Sequence, residues 1–497
     1  MEIEDYRAEI NAVDDELRAL FLRRMEAARQ IGLYKKTHGL PVLDSSREET
    51  ILSRVSEGLE SPLDELTREL YRTLFSLSRK YQTLLQQTGM RYGLLGKSLS
   101  HSFSPELHRA LWGAEYGLFS MEEPEARHFL QGNDFDGLNV TIPYKKLAFS
   151  MCDETDEISR RIGAVNTVLR RNGKLYGWNT DYFGMQAALE NAGICLQNKK
   201  VLIFGSGGTS HTAQVLAEDL GAGSITVISR SGEENYENLY ARHADAEILI
   251  NTTPVGMYPD CGASIVELRR FPKCCGVMDV VYNPLKTRLI QQAEALHIPA
   301  ASGLLMLVEQ ARRSAELFSG SAVDVTRTAE CYQRLLHKNR NLVLVGMPGS
   351  GKTTLGRFLS EKLFMPFADS DEELLRITGR SAKDWIEQAG ESAFREKEAE
   401  VIRGLCSRHG LVISTGGGTV LREDNRQALR QNGWICHVRR PLEALACSGR
   451  PLSENKAALK QLFRERDPIY TEISDYACDN VSSPEEAVSQ IAEAWLK

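Results

Sequence analysis

The nine residues Gly346-Met-Pro-Gly-Ser-Gly-Lys-Thr-Thr354 carry the spacing G-x-x-x-x-G-K-[ST]. Such a segment handles nucleotide phosphates when it joins a strand to a helix. The apolar run Leu342-Val-Leu-Val345 predicts that strand, and Leu355 to Leu363 predicts that helix. Backbone N–H groups of Gly349, Ser350, Gly351 and the helix start, Thr354 included, can then cradle phosphate oxygens. Lys352 can reach the β/γ oxygens, and the Thr353 hydroxyl can bind Mg²⁺. The loop begins near residue 340 of 497, so most of the chain must serve something else.

A second glycine turn, Gly205-Ser206-Gly207-Gly208-Thr209-Ser210, follows the apolar run Val201-Leu-Ile-Phe204. It fits a dinucleotide-binding turn, with Ser210 in place of the third glycine. A plain strand–turn–helix carries two glycines equally well, so the next strand, Ser224 to Ser229, has to discriminate. An NAD site wants an acidic residue near its end, to bind the ribose 2′-hydroxyl. Arg230 stands there and suits a 2′-phosphate, which favours NADP(H).

A third constellation lies on a predicted helix over roughly residues 3 to 37. Ile3, Ile10, Leu17, Arg24 and Ile31 recur every seven residues, as do Tyr6, Val13, Leu20, Ala27 and Tyr34. This heptad pattern puts Arg24 inside an apolar seam, where it is costly without an anion. Lys35 follows about 16 Å along the axis and within ~20° of the same face, so both cations can converge on one small anion. Arg7 precedes Arg24 by about 25 Å and can join only from a partner subunit, which implies a homodimer.

The elements that must position these groups fall into three regimes. Residues 1–88 read as all-α, 89–338 as alternating α/β, and 339–497 as a second α/β segment that restarts with the phosphate loop. A length of 497 residues agrees with roughly three domains. The net charge of -7 argues against a nucleic-acid-coating surface. No apolar run approaches the ~20 residues of a membrane span. The start, Met-Glu-Ile-Glu-Asp-Tyr, lacks the apolar core of a signal peptide. The ten cysteines are scattered without a C-x-x-C pair, and the expected compartment is reducing and cytoplasmic.

Three family resemblances follow from these residues. The helical segment, with Arg7, Arg24, Lys35, Asp44, Arg47, Glu48, Ser78 and Gln82 in order, resembles the all-helical chorismate mutases. The resemblance implies that arginines hold the two carboxylates of chorismate, Lys35 and Gln82 contact its ether oxygen, and Glu48 binds the ring hydroxyl. It also implies an intertwined dimer with Arg7 donated across. A sensing or dimerisation module without catalysis is the competing reading.

Residues 92 to 320 resemble shikimate dehydrogenase through His101-Ser-Phe-Ser-Pro105, Asn139-Val-Thr-Ile-Pro-Tyr-Lys145, Gly163-Ala-Val-Asn-Thr167, Asn179-Thr-Asp181, Asn251-Thr-Thr-Pro-Val-Gly-Met257, Asp279-Val-Val-Tyr-Asn-Pro284 and Ser302-Gly-Leu-Leu-Met-Leu-Val-Glu-Gln310. That implies a substrate domain and a Rossmann NADP domain. Ser102 and Ser104 would bind the carboxylate of 3-dehydroshikimate. Asn139, Thr141, Asn166, Tyr282 and Gln310 would contact its ring or oxygens, and Gly303 would lie with the cofactor. Lys145 and Asp181 would be the catalytic pair; a plain surface ion pair is the alternative. The family often has a second basic residue four places after Arg230, where this chain has Glu234, so some NAD use stays open.

Residues 341 to about 490 resemble shikimate kinase, an ATP-dependent P-loop enzyme. Asp371 would bind the ring hydroxyls of shikimate and accept a proton, and Asp369 would sit near Mg²⁺. Arg395 and Arg466 would pair with the carboxylate, Gly416, Gly417 and Gly418 would line the site, and Arg450 would act from a lid. Helix capping by Asp369 and Asp371, and an Arg395–Glu398 pair at i,i+3, are the alternatives.

Overall fold

The computed structural model describes residues 3–37, 43, 45–87, 91–99, 102–445, 456–481 and 483–496. The expected site residues Asp44 and Arg450 and the Gln82 side chain lie outside the described set. The chain divides into two compact units, Met1–Arg91 and Tyr92–Lys497.

The first unit is three helices: α1 (Ile3–Thr37), α2 (Ser45–Ser56) and α3 (Leu63–Gln87). The heptad residues predict one helix over 3 to 37, and α1 has those bounds. The seam itself is not covered within the chain. Ile3, Tyr6, Ile10, Val13, Leu17, Leu20, Ile31 and Tyr34 are all exposed, as are Leu63, Leu66, Leu70 and Leu77 on α3. The buried side chains among this unit's described residues, Ala28, Leu52, Ser56, Phe75 and Ser78, come from all three helices.

The second unit holds three sheets. The first contains β1 (Tyr92–Gly96), β2 (Tyr116–Ser120), β3 (Gly137–Val140), β4 (Glu154–Thr155), β5 (Thr167–Arg171) and β6 (Lys174–Trp178), in the order β2-β1-β3-β5-β6-β4. Strands β5 and β6 form an antiparallel hairpin through Asn172-Gly173, both at positive φ. That dipeptide provides the twist a two-residue hairpin loop requires.

The second sheet is wholly parallel: β7 (Lys200–Phe204), β8 (Ser224–Ile228), β9 (Ile248–Asn251), β10 (Gly276–Asp279) and β11 (Ala300–Ser302), in the order β11-β10-β9-β7-β8. The strand order reverses between β7 and β9, and open parallel sheets bind ligands at that switch point. The glycine turn that follows β7 lies there.

The third sheet is also parallel: β12 (Asn341–Val345), β13 (Phe367–Asp369), β14 (Val412–Ser414), β15 (Gly433–Arg439) and β16 (Tyr476–Asp479), in the order β13-β14-β12-β15-β16. Leu342 to Val345 are fully buried, as a central parallel strand covered on both faces must be. Helix Val325–Asn339 runs into β12 through Arg340 alone.

Candidate active sites

In the first unit the seam arginine has partners. Arg24 donates to Ser78 Oγ at 2.6 Å and to Leu74 O at 3.3 Å. Its guanidinium lies over the Phe75 ring, 5.7 Å from the centroid. Glu48 on α2 is paired with Arg79 on α3. Thus Arg24, Ser78, Glu48 and Arg79 tie all three helices together. Arg79 was not marked by the sequence pattern; it follows Ser78 directly, and only its pairing with Glu48 reveals it. Lys35 is half-buried and Arg47 exposed. Arg7 is exposed and pairs with Glu4 at 2.6 Å.

In the second unit, Lys145 opens the helix Lys145–Met151 and Asp181 lies in the first turn of the helix Thr180–Asn191. Lys145 Nζ donates to Asp181 Oδ2 at 2.5 Å, and Asn166 Nδ2 donates to Asp181 Oδ1 at 2.8 Å. The side chains are only 19% and 12% exposed, so this is not a loose surface pair. Asn166 is fixed in turn, because its Oδ1 accepts from the Thr180 amide at 2.6 Å.

Asn139 is buried, and its amide is committed to the protein. Its Oδ1 accepts from Tyr116 at 2.7 Å, and its Nδ2 donates to Ser314 Oγ at 2.7 Å and Thr167 Oγ1 at 3.0 Å. Gln310 joins the edge of this network through Thr180 at 3.5 Å. Thr167, Thr180 and Ser314 were not singled out in the sequence. The first two sit inside recognised motifs, whereas Ser314 lies on the helix Gly303–Ser319 with no local signal. Ser102 and Ser104 are 3.1 Å apart through their hydroxyls. Tyr282 packs on intervening Phe103, with ring centroids 6.1 Å apart. Thr141 is half-buried just before Lys145.

Lys145 also opens onto a cleft of about 770 Å³. The same cleft is lined by Gly205 to Thr209 and Arg230. Ser210 is fully buried and does not line it. Gly205 adopts φ 111°, and a Cβ there would meet Thr252 Oγ1 at 2.8 Å. At Gly207 and Gly208 a Cβ would meet nothing within 4 Å, so the turn leaves its backbone open to a ligand there. Thr252 and Thr253, at the end of β9, also line the cleft and were missed. Their place in the motif Asn251-Thr-Thr-Pro-Val-Gly-Met257 was the available signal. Glu234 does not face Arg230 as a competing partner. Its carboxylate binds Arg242 at 2.9 Å and His243 Nε2 at 2.9 Å, and these contacts, His243 first, hold it below the usual carboxylate range. Gly303 is forced by close approach: a Cβ would stand 2.1 Å from Val280 O.

The third sheet positions the remaining set around a cavity of about 440 Å³. Thr353 Oγ1 donates to Asp369 Oδ2 at 2.8 Å. Asp369 Oδ1 meanwhile accepts from the Asp371 amide at 2.9 Å, so the capping alternative holds alongside the pairing with Thr353. Lys352 is buried and donates to Gly346 O at 2.9 Å and Met347 O at 3.0 Å. Arg395 rides on the helix Ala382–Cys406 past its break at Gly390. It pairs with Glu398 at 2.9 Å, as the helix-surface alternative expects, and with Glu391 at 3.1 Å. Even so it reaches the glycine turn: a Cβ on Gly418 would lie 2.4 Å from its guanidinium nitrogens. Arg466 is buried, and its Nε has no hydrogen-bond partner among the described residues. Tyr470, one turn on, donates to Gly417 O at 2.5 Å. Arg440, also on this cavity, was missed; it follows the end of β15, next to Pro441.

The chain's likeness to known proteins follows the same three parts. Family models match for chorismate mutase type II over residues 6–83, the shikimate dehydrogenase substrate-binding domain over 94–168, and shikimate kinase over 348–496. A shikimate dehydrogenase (NADP(+)) of Clostridium perfringens is 33% identical over 264 residues, covering 49% of this chain and 97% of that protein. One from Methanococcus maripaludis is 36% identical over 262 residues, covering 47% and 92%. Among solved structures, a chorismate mutase/shikimate 5-dehydrogenase fusion protein from Clostridium acetobutylicum aligns with 31% identity and a TM-score of 0.47, over 50% of this chain and 97% of that one. The chain belongs to the shikimate dehydrogenase family. With a chorismate mutase segment before that region and a shikimate kinase segment after it, it is a fusion enzyme of the shikimate pathway.

Proposed function

We propose that the second unit carries out two consecutive steps, reduction of 3-dehydroshikimate to shikimate and its phosphorylation to shikimate 3-phosphate. The first unit converts chorismate to prephenate. The observation that carries the reading is the buried Lys145–Asp181 pair on the same cleft as the glycine turn and Arg230.

The cradle at Gly205 and the exposed Arg230 fit a dinucleotide with a 2′-phosphate, and reduced NADP supplies the hydride when bound. Lys145, held by Asp181, donates a proton to the oxygen as it gains charge. Asn166 keeps Asp181 oriented, and Ser102, Ser104 and Tyr282 orient the carboxylate end of the ring. In the kinase, Thr353 and Asp369 would hold Mg²⁺, which would offset the charge on the phosphates. Asp371 accepts the proton of the attacking hydroxyl. Arg395 and Arg466 pair with the ring carboxylate, and the unsatisfied Arg466 Nε is a donor awaiting an acceptor. Arg450 acts from the lid.

The mutase reaction needs a dianion held compactly, with no proton transfer or cofactor. Arg24 supplies charge from the seam, Lys35 and Gln82 address the ether oxygen, and Arg7 completes the site from a second copy. The uncovered heptad face of α1 and α3 supports that homodimer. Incubating the protein with chorismate and assaying prephenate tests the first unit. Altered dehydrogenase or kinase rates without prephenate would instead make it a sensor. The shikimate-pathway chemistry supports a cytoplasmic location.

A further inference from the structure

The helix Glu423–Asn432 belongs to the kinase part of the second unit, yet its last turn ends inside the dehydrogenase part. At its start it is tied to the kinase glycine turn: Asn425 Nδ2 donates to Thr419 O at 2.9 Å, and Arg426 donates to Val420 O at 2.7 Å. At its end the partners change. The Leu285 amide donates to buried Asn432 Oδ1 at 2.9 Å, and the Lys286 amide donates to Gln431 O at 2.9 Å. Tyr258 adds bonds from its hydroxyl to Cys406 O at 2.9 Å and Gln431 Oε1 at 3.2 Å.

Leu285 and Lys286 end the loop that carries Tyr282. The other end of that loop is anchored within the dehydrogenase, where the Val281 amide donates to Asp279 Oδ1 at 3.0 Å. The dehydrogenase also holds the loop beyond Tyr282, where the Tyr258 amide donates to Asn283 O at 3.3 Å and Thr287 Oγ1 donates to Asp279 Oδ2 at 2.6 Å. The kinase adds two bonds between these, to backbone N–H groups three and four residues from a substrate-side tyrosine.

We propose that Asn432 is a positioning residue for the dehydrogenase reaction, supplied by the kinase part of the chain. By accepting from Leu285 it fixes the Tyr282 loop, and so the placement of Tyr282 beside Ser102 and Ser104. The proposal rests on the assignment of Tyr282 to the ring substrate. Removing the Asn432 acceptor leaves a buried N–H unpaired, and the loop must move to find water.

The test uses the full-length protein with 3-dehydroshikimate, NADPH, shikimate and Mg-ATP. Asn432→Ala is expected to raise the KM for 3-dehydroshikimate about tenfold, the cost of one unpaired buried donor. The KM for NADPH and the kinase kcat should stay within about twofold. Asn432→Asp keeps an oxygen for Leu285 but loses the Nδ2 donor to Cys406 O, and should restore part of the substrate KM. Arg288→Ala removes the Arg288–Glu423 pair across the same interface, 3.8 Å apart, without touching Asn432, and should leave that KM unchanged. An unaltered KM in N432A, no recovery in N432D, or an equal rise in R288A would overturn the proposal. So would loss of folded N432A with both activities gone, which would make the residue purely structural. Tyr282→Phe separates the two layers. If Y282F leaves the substrate KM unchanged, the assignment of Tyr282 fails; if Y282F raises it while N432A does not, only the role of Asn432 fails.

Discussion

Lys145 and Asp181 show how burial separates a working ion pair from an ornamental one. An exposed pair of this type contributes little, because water screens it and two long side chains must be ordered. Here Asn166 occupies the second carboxylate oxygen at 2.8 Å, so the lysine is aimed rather than merely neutralised. Asp279 shows a different use of a carboxyl group. Burial pushes it up to about 6, against the opposing effect of bonds from Thr287, Val281 and Asn251. Its unfolded value is about 3.9, so the folded state holds the proton longer. The stability this confers is fully present below about pH 4 and is lost as pH rises through about 6. The Asp279→Asn protein lacks that titration. Thermal melts of both proteins from pH 4 to 7 should show the parent losing about 3 kcal/mol relative to the variant. A constant difference across the range would refute the assignment. Residue identities such as Lys145, Asp181 and Arg466 were legible because they stand in ordered motifs. Ser314 and Arg79 were not, since each acquires its role only through a partner distant in sequence.

At the scale of elements, most of the architecture was written in local patterns. The seven-residue repeat predicts α1, and the runs at Val201 and Leu342 predict the central strands of two parallel sheets. Strand order was not legible, because it depends on crossovers and not on local periodicity. Competing local readings also proved compatible with functional ones: Asp369 caps a helix with one oxygen and meets Thr353 with the other. The glycine turn after β14 leaves no room for a side chain at Gly417 or Gly418. A Cβ at Gly418 would stand 2.4 Å from Arg395, which is already held by Glu391 and Glu398. Gly418→Ala is therefore expected to displace the arginine and lower kinase kcat/KM for shikimate by about 10²-fold, the cost of a misplacement near 1 Å. Steady-state assays should find dehydrogenase turnover in the same protein unchanged. Retention of kinase kcat/KM would show that Arg395 does not act from this position.

On the scale of the whole molecule, two arrangements differ in kind. The second unit joins its dehydrogenase and kinase through hydrogen-bonded backbone, whereas the first leaves an apolar seam uncovered by its own chain. Exposing that many large apolar side chains along one face is unfavourable in water, at about 25 cal/mol per Å². The proposed homodimer would bury them. Leu17→Asp places a charge in the seam and should turn the dimer into a monomer on sedimentation, with prephenate formation lost and shikimate formation kept. A dimeric L17D protein would place the contact elsewhere. On this reading one chain performs two consecutive steps at two separate sites. The decisive measurement gives the purified protein 3-dehydroshikimate, NADPH and Mg-ATP, and compares it with the Lys145→Ala variant. The parent should accumulate shikimate 3-phosphate. The variant should lose NADPH oxidation by about 10²-fold or more, yet phosphorylate added shikimate at the parental rate. No shikimate 3-phosphate from the parent, or loss of both activities in the variant, would contradict it.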